Sequence, residues 1–132
     1  MKVYYPVFID LTDRNVIVIG GNDMAEEKVN SLLLSNAKVV LISLNITDNL
    51  LSLVHEKKIS WINRSYKSGD LAKAFMVIVA DTSDTDINNS VYQETYKLNI
   101  LLNVMDVTHL CTFIAPAISR RGEVTAAIST GG

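Results

Sequence analysis

The sequence predicts an α/β fold, a mostly parallel sheet flanked by helices, and three observations predict it. Short apolar runs rich in β-branched residues recur along the chain, as in Val16–Ile19 and Phe75–Ala80, and such runs suit strands buried on both faces. They alternate with segments of helical period, the pattern of strands joined by crossover helices. The first apolar run ends in Gly20-Gly21, and a helical pattern begins at Ala25. Strand, glycine turn and helix therefore follow one another without a linker.

Each element has its own local reason. Val16–Ile19 is β-branched throughout. From Ala25 to Ser35, residues Ala25, Val29, Leu32 and Leu33 fall on one helical face. Lys38–Ser43 (Lys-Val-Val-Leu-Ile-Ser) is a second buried strand. Asp48–Glu56 is a short helix with Leu51 and Val54 inward, and Ile59–Ile62 is a short strand. Phe75–Ala80 is a fully apolar strand. Ser83-Asp84-Thr85-Asp86 supplies capping side chains for a helix that runs to about Leu98, with Ile87, Val91 and Leu98 on one side. Ile100–Val104 and Val124–Ile128 are two more strands. Five or six strands with helical crossovers make a Rossmann-like sheet, and residues 1–132 read as a single domain. The chain closes on a strand running into Gly131-Gly132, a turn that ordinarily feeds another element, so a C-terminal segment is expected beyond it.

Bulk composition narrows the function. The chain has 132 residues, 48% of them apolar and 20% charged, values of a globular domain with one core. A net charge of −2 offers no electrostatic footprint for nucleic acid. The single cysteine, Cys111, excludes an internal disulfide and a Cys-rich metal site and suits a reducing compartment. No apolar run approaches the ~20 residues of a membrane span, and Met1–Pro6 lacks the apolar core of a signal peptide. The expected location is the cytoplasm.

The glycine turn points to a ligand class. In a dinucleotide-binding βα turn, free backbone N–H groups at a helix N-terminus receive a pyrophosphate. The G-x-G-x-x-G/A pattern stands here as Gly20-Gly21-Asn22-Asp23-Met24-Ala25, with Asn22 where a second glycine would let the phosphates approach. If the Asn22 side chain only crowds the phosphate, Asn22→Gly tightens dinucleotide binding by about 1 kcal/mol or less. Asp23 and Met24 open the helix and would meet the pyrophosphate through their backbone. The acidic residue expected on the ribose, about 20 residues after the glycines, is missing. Ser43, Leu44 and Asn45 at the end of the second strand, with their backbone groups, would hold the ribose instead. No lysine or arginine stands there for a 2′-phosphate, which favours NAD over NADP.

The segments Tyr5–Leu11, Val16–Gly21, Ala25 with Lys28 and Leu32-Leu33, and Ala37–Val39 belong to a wider pattern. It continues through Trp61, Arg64 and Tyr66, Asp70-Leu71, Ala74-Phe75, Asn88 and Val91, and Asn103-Val104-Met105-Asp106. It ends with Phe113–Ile118, Arg121–Thr125 and Ala127–Gly132. By their order and spacing the sequence resembles the precorrin-2 dehydrogenase family, the N-terminal domain of siroheme synthases and the stand-alone dehydrogenase/ferrochelatases. The resemblance implies NAD-dependent dehydrogenation of precorrin-2, a tetrapyrrole with eight carboxylates, to sirohydrochlorin. Many members also insert Fe²⁺ as a second substrate. It further implies a homodimer built with a C-terminal dimerisation and helical region that lies beyond this sequence.

The same resemblance makes Asp106 the catalytic base. It follows a strand at the carboxyl edge of the sheet, where a carboxylate can accept the proton lost in oxidation. A cap for the Val107–His109 segment is the plainer alternative. Arg121, suited to bidentate pairing with substrate carboxylates, and Ser129 and Thr130 are candidate substrate contacts; ordinary turn roles stand beside each. His109 and Cys111 lie near Asp106 without the spacing of a metal site, so no resident metal is expected. Trp61 with Tyr66 reads as core or edge packing rather than a platform for the macrocycle. The functional alternative from another class is a non-catalytic NAD-sensing domain.

Overall fold

The computed structural model describes residues 2–131. Its elements are β1 (Asn15–Ile19), α1 (Asp23–Leu34), β2 (Lys38–Ile42), α2 (Asp48–His55), β3 (Ser60–Ile62), β4 (Met76–Val79), α3 (Thr85–Leu98), β5 (Leu101–Val104), a 3-10 turn (Thr108–Leu110), β6 (Ala117–Arg121) and β7 (Val124–Ile128). The strands and helices expected from the sequence are all present, with ends displaced by no more than two residues. β6 was not expected.

Strands β1 to β5 form one parallel sheet in the order β3-β2-β1-β4-β5. β1 is central, with Val16 opposite both Val39 and Met76. Period-2 alternation divides its side chains between two cores. Val16 and Val18 pack with Ala25, Val29 and Leu32 of α1 and Leu50 of α2. Ile17 and Ile19 pack on the other face with Val91 of α3, Tyr66 and Leu71. Burial on both faces is why these strands read as unbroken apolar runs.

Helix ends follow the local chemistry. Thr47 Oγ1 accepts from Leu50 N to start α2, and Asp84 Oδ1 accepts from Asp86 N and Ile87 N to start α3. Asn99, with φ +54°, ends α3 in the left-handed region that Asn tolerates.

Two expectations need correction. The crossover from β3 to β4 contains no helix. Residues 63–75 make it as a strap of turns, with Gly69 at φ +98° and Leu71 fully buried in the place a helix face would fill. Ser, Gly and Asp are frequent there and favour turns over helix. Second, Val124–Ile128 does not join the parallel sheet. It pairs antiparallel with β6 through the two-residue turn Gly122-Glu123, where Gly122 has φ +59°. Glycine at the first position of such a turn matches the twist of the paired strands. Every residue of this hairpin is exposed. Gly132 lies outside the described residues, so the expected Gly-Gly turn is seen only as far as Gly131. No helix among the described residues is long and apolar enough to cross a membrane.

Candidate functional site

The chain runs β1-β2-β3 outward on one side of β1 and then crosses back to place β4 on the other, so the strand order reverses between β1 and β4. Loops leaving these two strands at their carboxyl ends diverge, and ligands of open α/β sheets bind in the crevice between them. A cleft of about 480 Å³ lies there. Its floor is Ile19, Gly20 and Gly21 from β1 and the glycine turn. Asn22, Ile42 and Ser43 to Thr47 line it too, with Ser65 and Tyr66 after β3 and Asp81, Ser83, Asp84 and Ile87 after β4.

The two glycines have different reasons. Gly20 has φ +129°, and a Cβ there would lie 2.8 Å from Asp81 N. At Gly21 a Cβ would overlap Asn45 O and come within 2.7 Å of Ile46 Cγ2. Thr47 N donates to Gly21 O at 3.0 Å across the same junction. The second glycine therefore lets the β2–α2 loop close on the turn.

Asn22 has a structural role beside its place at the glycine turn. Its φ is −85°, so no glycine is required, and its Oδ1 accepts from Ala25 N at 2.9 Å as the N-cap of α1. The side chain thus caps its own helix, and Asn22 also lines the cleft. Asn22→Gly is therefore expected to cost a few tenths of a kcal/mol of stability and Asn22→Ala about 1 kcal/mol. Urea denaturation of the two variants measures both losses.

Among the described residues, no acceptor engages the N–H groups of Asp23 and Met24, whereas those of Ala25 and Glu26 bond to Asn22. Free donors at a helix N-terminus beside the glycine turn fit a pyrophosphate. Asn22 lines the cleft at the start of α1, and Asp23 and Met24 lie just beyond its lining. Ser43, Leu44 and Asn45 all line it. Ser43 Oγ donates to Asn45 O at 2.7 Å, leaving its lone pairs free to accept. The charged side chains of the lining are Asp81 and Asp84; among the described residues no lysine, arginine or histidine joins them.

Asp106 is exposed at the same carboxyl edge, one strand further on. Val107 N donates to Val104 O at 3.0 Å, and Asp106 stands third in this four-residue turn with φ +62°. Met105 N donates to Val79 O at 3.1 Å and ties the turn to the end of β4. Asp13 has the same backbone conformation, φ +59°, in the Leu11–Arg14 turn at the amino edge of the sheet. Position at the carboxyl edge, and not the conformation, sets Asp106 apart. Arg121, Ser129 and Thr130 are on or beside the exposed hairpin and do not line the cleft.

Cys111 is engaged internally. Its thiol donates to Val104 O and accepts from Val104 N, both at 3.2 Å, and burial pushes its pKa up. Lys2 Nζ donates to the carbonyls of Thr108 and Cys111, pinning the N-terminal segment to the turn after Asp106.

Sequence reasoning missed the wall built by Ser65, Tyr66 and Asp81. Asp81 was findable, because the residue after β4 must border the crevice once the strand order is known. Tyr66 was treated as packing. It is packed, but it also lines the cleft, and its hydroxyl donates to Glu94 at 2.6 Å; burial first, and then Glu94, push its phenol pKa up. Glu94 also accepts from Gly69 N and Leu71 N at 2.9 and 2.8 Å, latching the 63–75 strap to α3.

The strap is closed from within by Arg64, whose Nη1 and Nη2 donate to the two oxygens of Asp70 at 2.8 and 2.9 Å. Hydrogen bonding from Arg64 holds Asp70 below the usual carboxylate range. A depressed folded-state pKa stabilises the protein above the unfolded value of about 4 and loses that contribution as the pH falls through the folded value. Acid titration of stability below about pH 4 should thus be shallower in Asp70→Asn than in the parent, provided both unfold in one step.

Comparison with known proteins agrees with this geometry. Residues 7–117 match the model of a family described as "Putative NAD(P)-binding". The chain is 37% identical over 129 residues to a siroheme synthase of Mannheimia succiniciproducens, covering 98% of this chain and 27% of the relative. It is 36% identical over 129 residues to a siroheme synthase of Ruthia magnifica, with the same coverage of 98% and 27%. The chain thus spans about a quarter of the length of the curated relatives it matches. Among solved structures, one titled "SirC, precorrin-2 dehydrogenase" superposes with a TM-score of 0.84 at 24% identity, over 97% of this chain and 63% of that one. That likeness establishes the shared Rossmann-like α/β fold. The expected resemblance to siroheme synthases is borne out, and with its glycine turn, switch-point cleft and family match the chain belongs to this NAD(P)-binding family.

Proposed function

We propose that this chain is the NAD-binding part of a precorrin-2 dehydrogenase, oxidising precorrin-2 to sirohydrochlorin in siroheme synthesis. The observation that carries the reading is the cleft at the β1–β4 reversal, with the free N–H groups of α1 at its glycine turn and Asp106 on the same carboxyl edge. Similarity to siroheme synthases over 129 residues supports a tetrapyrrole as the substrate class.

The backbone N–H groups of Asp23 and Met24 would hold the pyrophosphate. Ser43, Leu44 and Asn45 would hold the adenosine ribose. Ser43, Leu44 and Asn45 carry no cation, and among the described residues none lines the cleft, so a 2′-phosphate would lack a counter-charge, which favours NAD over NADP. NAD⁺, when bound, supplies the hydride acceptor. Precorrin-2 loses a hydride and a proton overall, and Asp106 accepts the proton.

The exposed hairpin is proposed as a contact to substrate and to a second copy of the chain. Arg121, Ser129 and Thr130 offer a cation and hydroxyls, while Ile118, Val124 and Ile128 are 49%, 69% and 72% exposed. Apolar side chains on unpaired edge strands are ordinarily covered by a partner. Fe²⁺ insertion at Asp106 is proposed as a second reaction on the product, with the ion as substrate. The location proposed is the cytoplasm.

The test is an anaerobic assay of the purified protein with precorrin-2 and NAD⁺, following NADH absorbance. NADH formation supports the reading. Measurable NAD⁺ binding without NADH formation would favour the NAD-sensing alternative.

A further inference from the structure

Three loops wall the cleft, and each is anchored by a side chain from a helix. Asn88 of α3 donates to Thr82 O in the 81–84 loop, and Glu94 latches the 63–75 strap. The third loop, 43–47, is the one proposed to receive the ribose, and it lacks the acidic residue that usually ends the second strand.

Its anchor is Glu26, in the first turn of α1. Glu26 Oε2 accepts from Thr47 Oγ1 at 2.8 Å, and Oε1 accepts from Asn49 Nδ2 at 2.7 Å. Oε2 thus holds the end of the β2–α2 loop and Oε1 the first turn of α2, and among the described residues no lysine or arginine pairs with them. These bonds hold the carboxyl below its usual range, so the latch is ionised at neutral pH. On the inner side the same loop is pressed against Gly21, whose carbonyl accepts from Thr47 N. On the outer side Trp61 Nε1 donates to Ser43 O at 2.9 Å. The loop is fixed at three points, and Glu26 is the charged one.

We infer that Glu26 is a positioning residue for the cofactor. Its carboxylate spans from α1 to the β2–α2 loop and sets Ser43, Leu44 and Asn45 in the arrangement that receives the adenosine half of NAD. The acidic group missing from the end of β2 is replaced by one on the neighbouring helix that acts through the loop instead of touching the ribose. This inference rests on the reading of the cleft as a dinucleotide site.

Trp61 is the chain's single tryptophan, and its bond to Ser43 makes its emission a probe of this loop without any ligand. The experiment compares the parent chain, Glu26→Ala, Glu26→Gln and Asn49→Ala. It records Trp61 emission and acrylamide quenching in the free proteins, then titrates each with NAD⁺ and separately with ADP-ribose.

Glu26→Ala should make Trp61 more quenchable and raise the Kd for NAD⁺ by about tenfold, the effect of losing a charge-assisted anchor. ADP-ribose should lose the same factor, since it carries the adenosine half. Glu26→Gln keeps an acceptor for Asn49 and a donor for Thr47, so it should stay within about twofold of the parent. If circular dichroism shows Glu26→Ala unfolded, Asn49→Ala, which removes one arm, carries the test with an expected rise of about threefold.

A parent that binds NAD⁺, with Glu26→Ala or its stand-in Asn49→Ala matching it in affinity and quenching, overturns the positioning role alone. A parent that binds neither NAD⁺ nor ADP-ribose overturns the dinucleotide reading and the latch with it.

Discussion

Asp106→Asn is expected to lower the rate of NADH formation from precorrin-2 by 10²- to 10⁴-fold, about the range supplied by a positioned general base. Asparagine keeps the shape of the side chain and tolerates the left-handed backbone that Asp106 adopts at φ +62°. The turn between Val104 and Val107 should therefore survive, and thermal unfolding should occur within a degree or two of the parent. NAD⁺ affinity should stay within about threefold, because Asp106 lies outside the cleft lining. Asp106→Ala should lose the same activity with a further stability cost, since alanine has no polar side chain to support a positive φ. The decisive comparison is turnover against NAD⁺ affinity in the same preparation. Full turnover in Asp106→Asn would falsify the base assignment, and a parallel loss of NAD⁺ binding would move Asp106 from chemistry to cofactor binding.

Gly21→Ala should have the largest effect on cofactor binding of any single methyl group added to this chain. The new Cβ would overlap Asn45 O and meet Ile46 Cγ2 at 2.7 Å. The obstructing atom is backbone, so a rotamer change cannot relieve it, and the β2–α2 loop must move away from the glycine turn. Overpacking of this kind costs about 1–3 kcal/mol, and denaturant titration should show a loss in that range. The displaced loop carries Ser43 to Thr47, so NAD⁺ affinity should fall by more than about tenfold, a further loss of roughly 1.4 kcal/mol. Asn22→Gly at the next position should leave affinity nearly unchanged, because that side chain faces its own helix. Equal behaviour of the two variants would show that the turn adapts and that the contact at Gly21 does not control the cleft.

Much of the fold was legible because its causes are local. Val16–Ile19 and Phe75–Ala80 are unbroken apolar runs because each is buried on both faces of a parallel sheet. The start of α3 was readable because Asp84 caps it with bonds to the next two or three residues. Residues 63–75 were harder. A crossover normally contains a helix, and nothing in Ser-Tyr-Lys-Ser-Gly-Asp announces that a strap can do the same work through Leu71, Glu94 and an Arg64–Asp70 clasp. The hairpin was harder still, since the apolar alternation of Val124–Ile128 looks alike in a central strand and in an exposed ribbon.

The site divides in the same way. Gly20, Gly21 and the opening of α1 were identifiable because strand, turn and helix N-terminus are contiguous, and the pyrophosphate chemistry belongs to that contiguous backbone. Ser43 to Asn45 followed from counting to the end of the second strand. By itself the sequence determined the order of elements, the strand–glycine–helix unit and the class of cofactor, all of which depend on neighbours within a few residues. Only the tertiary structure decided that Asn22 is a cap, that the β2–α2 loop closes on Gly21, and that Glu26 holds that loop. Glu26 meets its partners Thr47 and Asn49 across 21 and 23 residues of chain. No periodicity or spacing encodes such a contact, because it exists only once the sheet has brought the ends of β1 and β2 side by side.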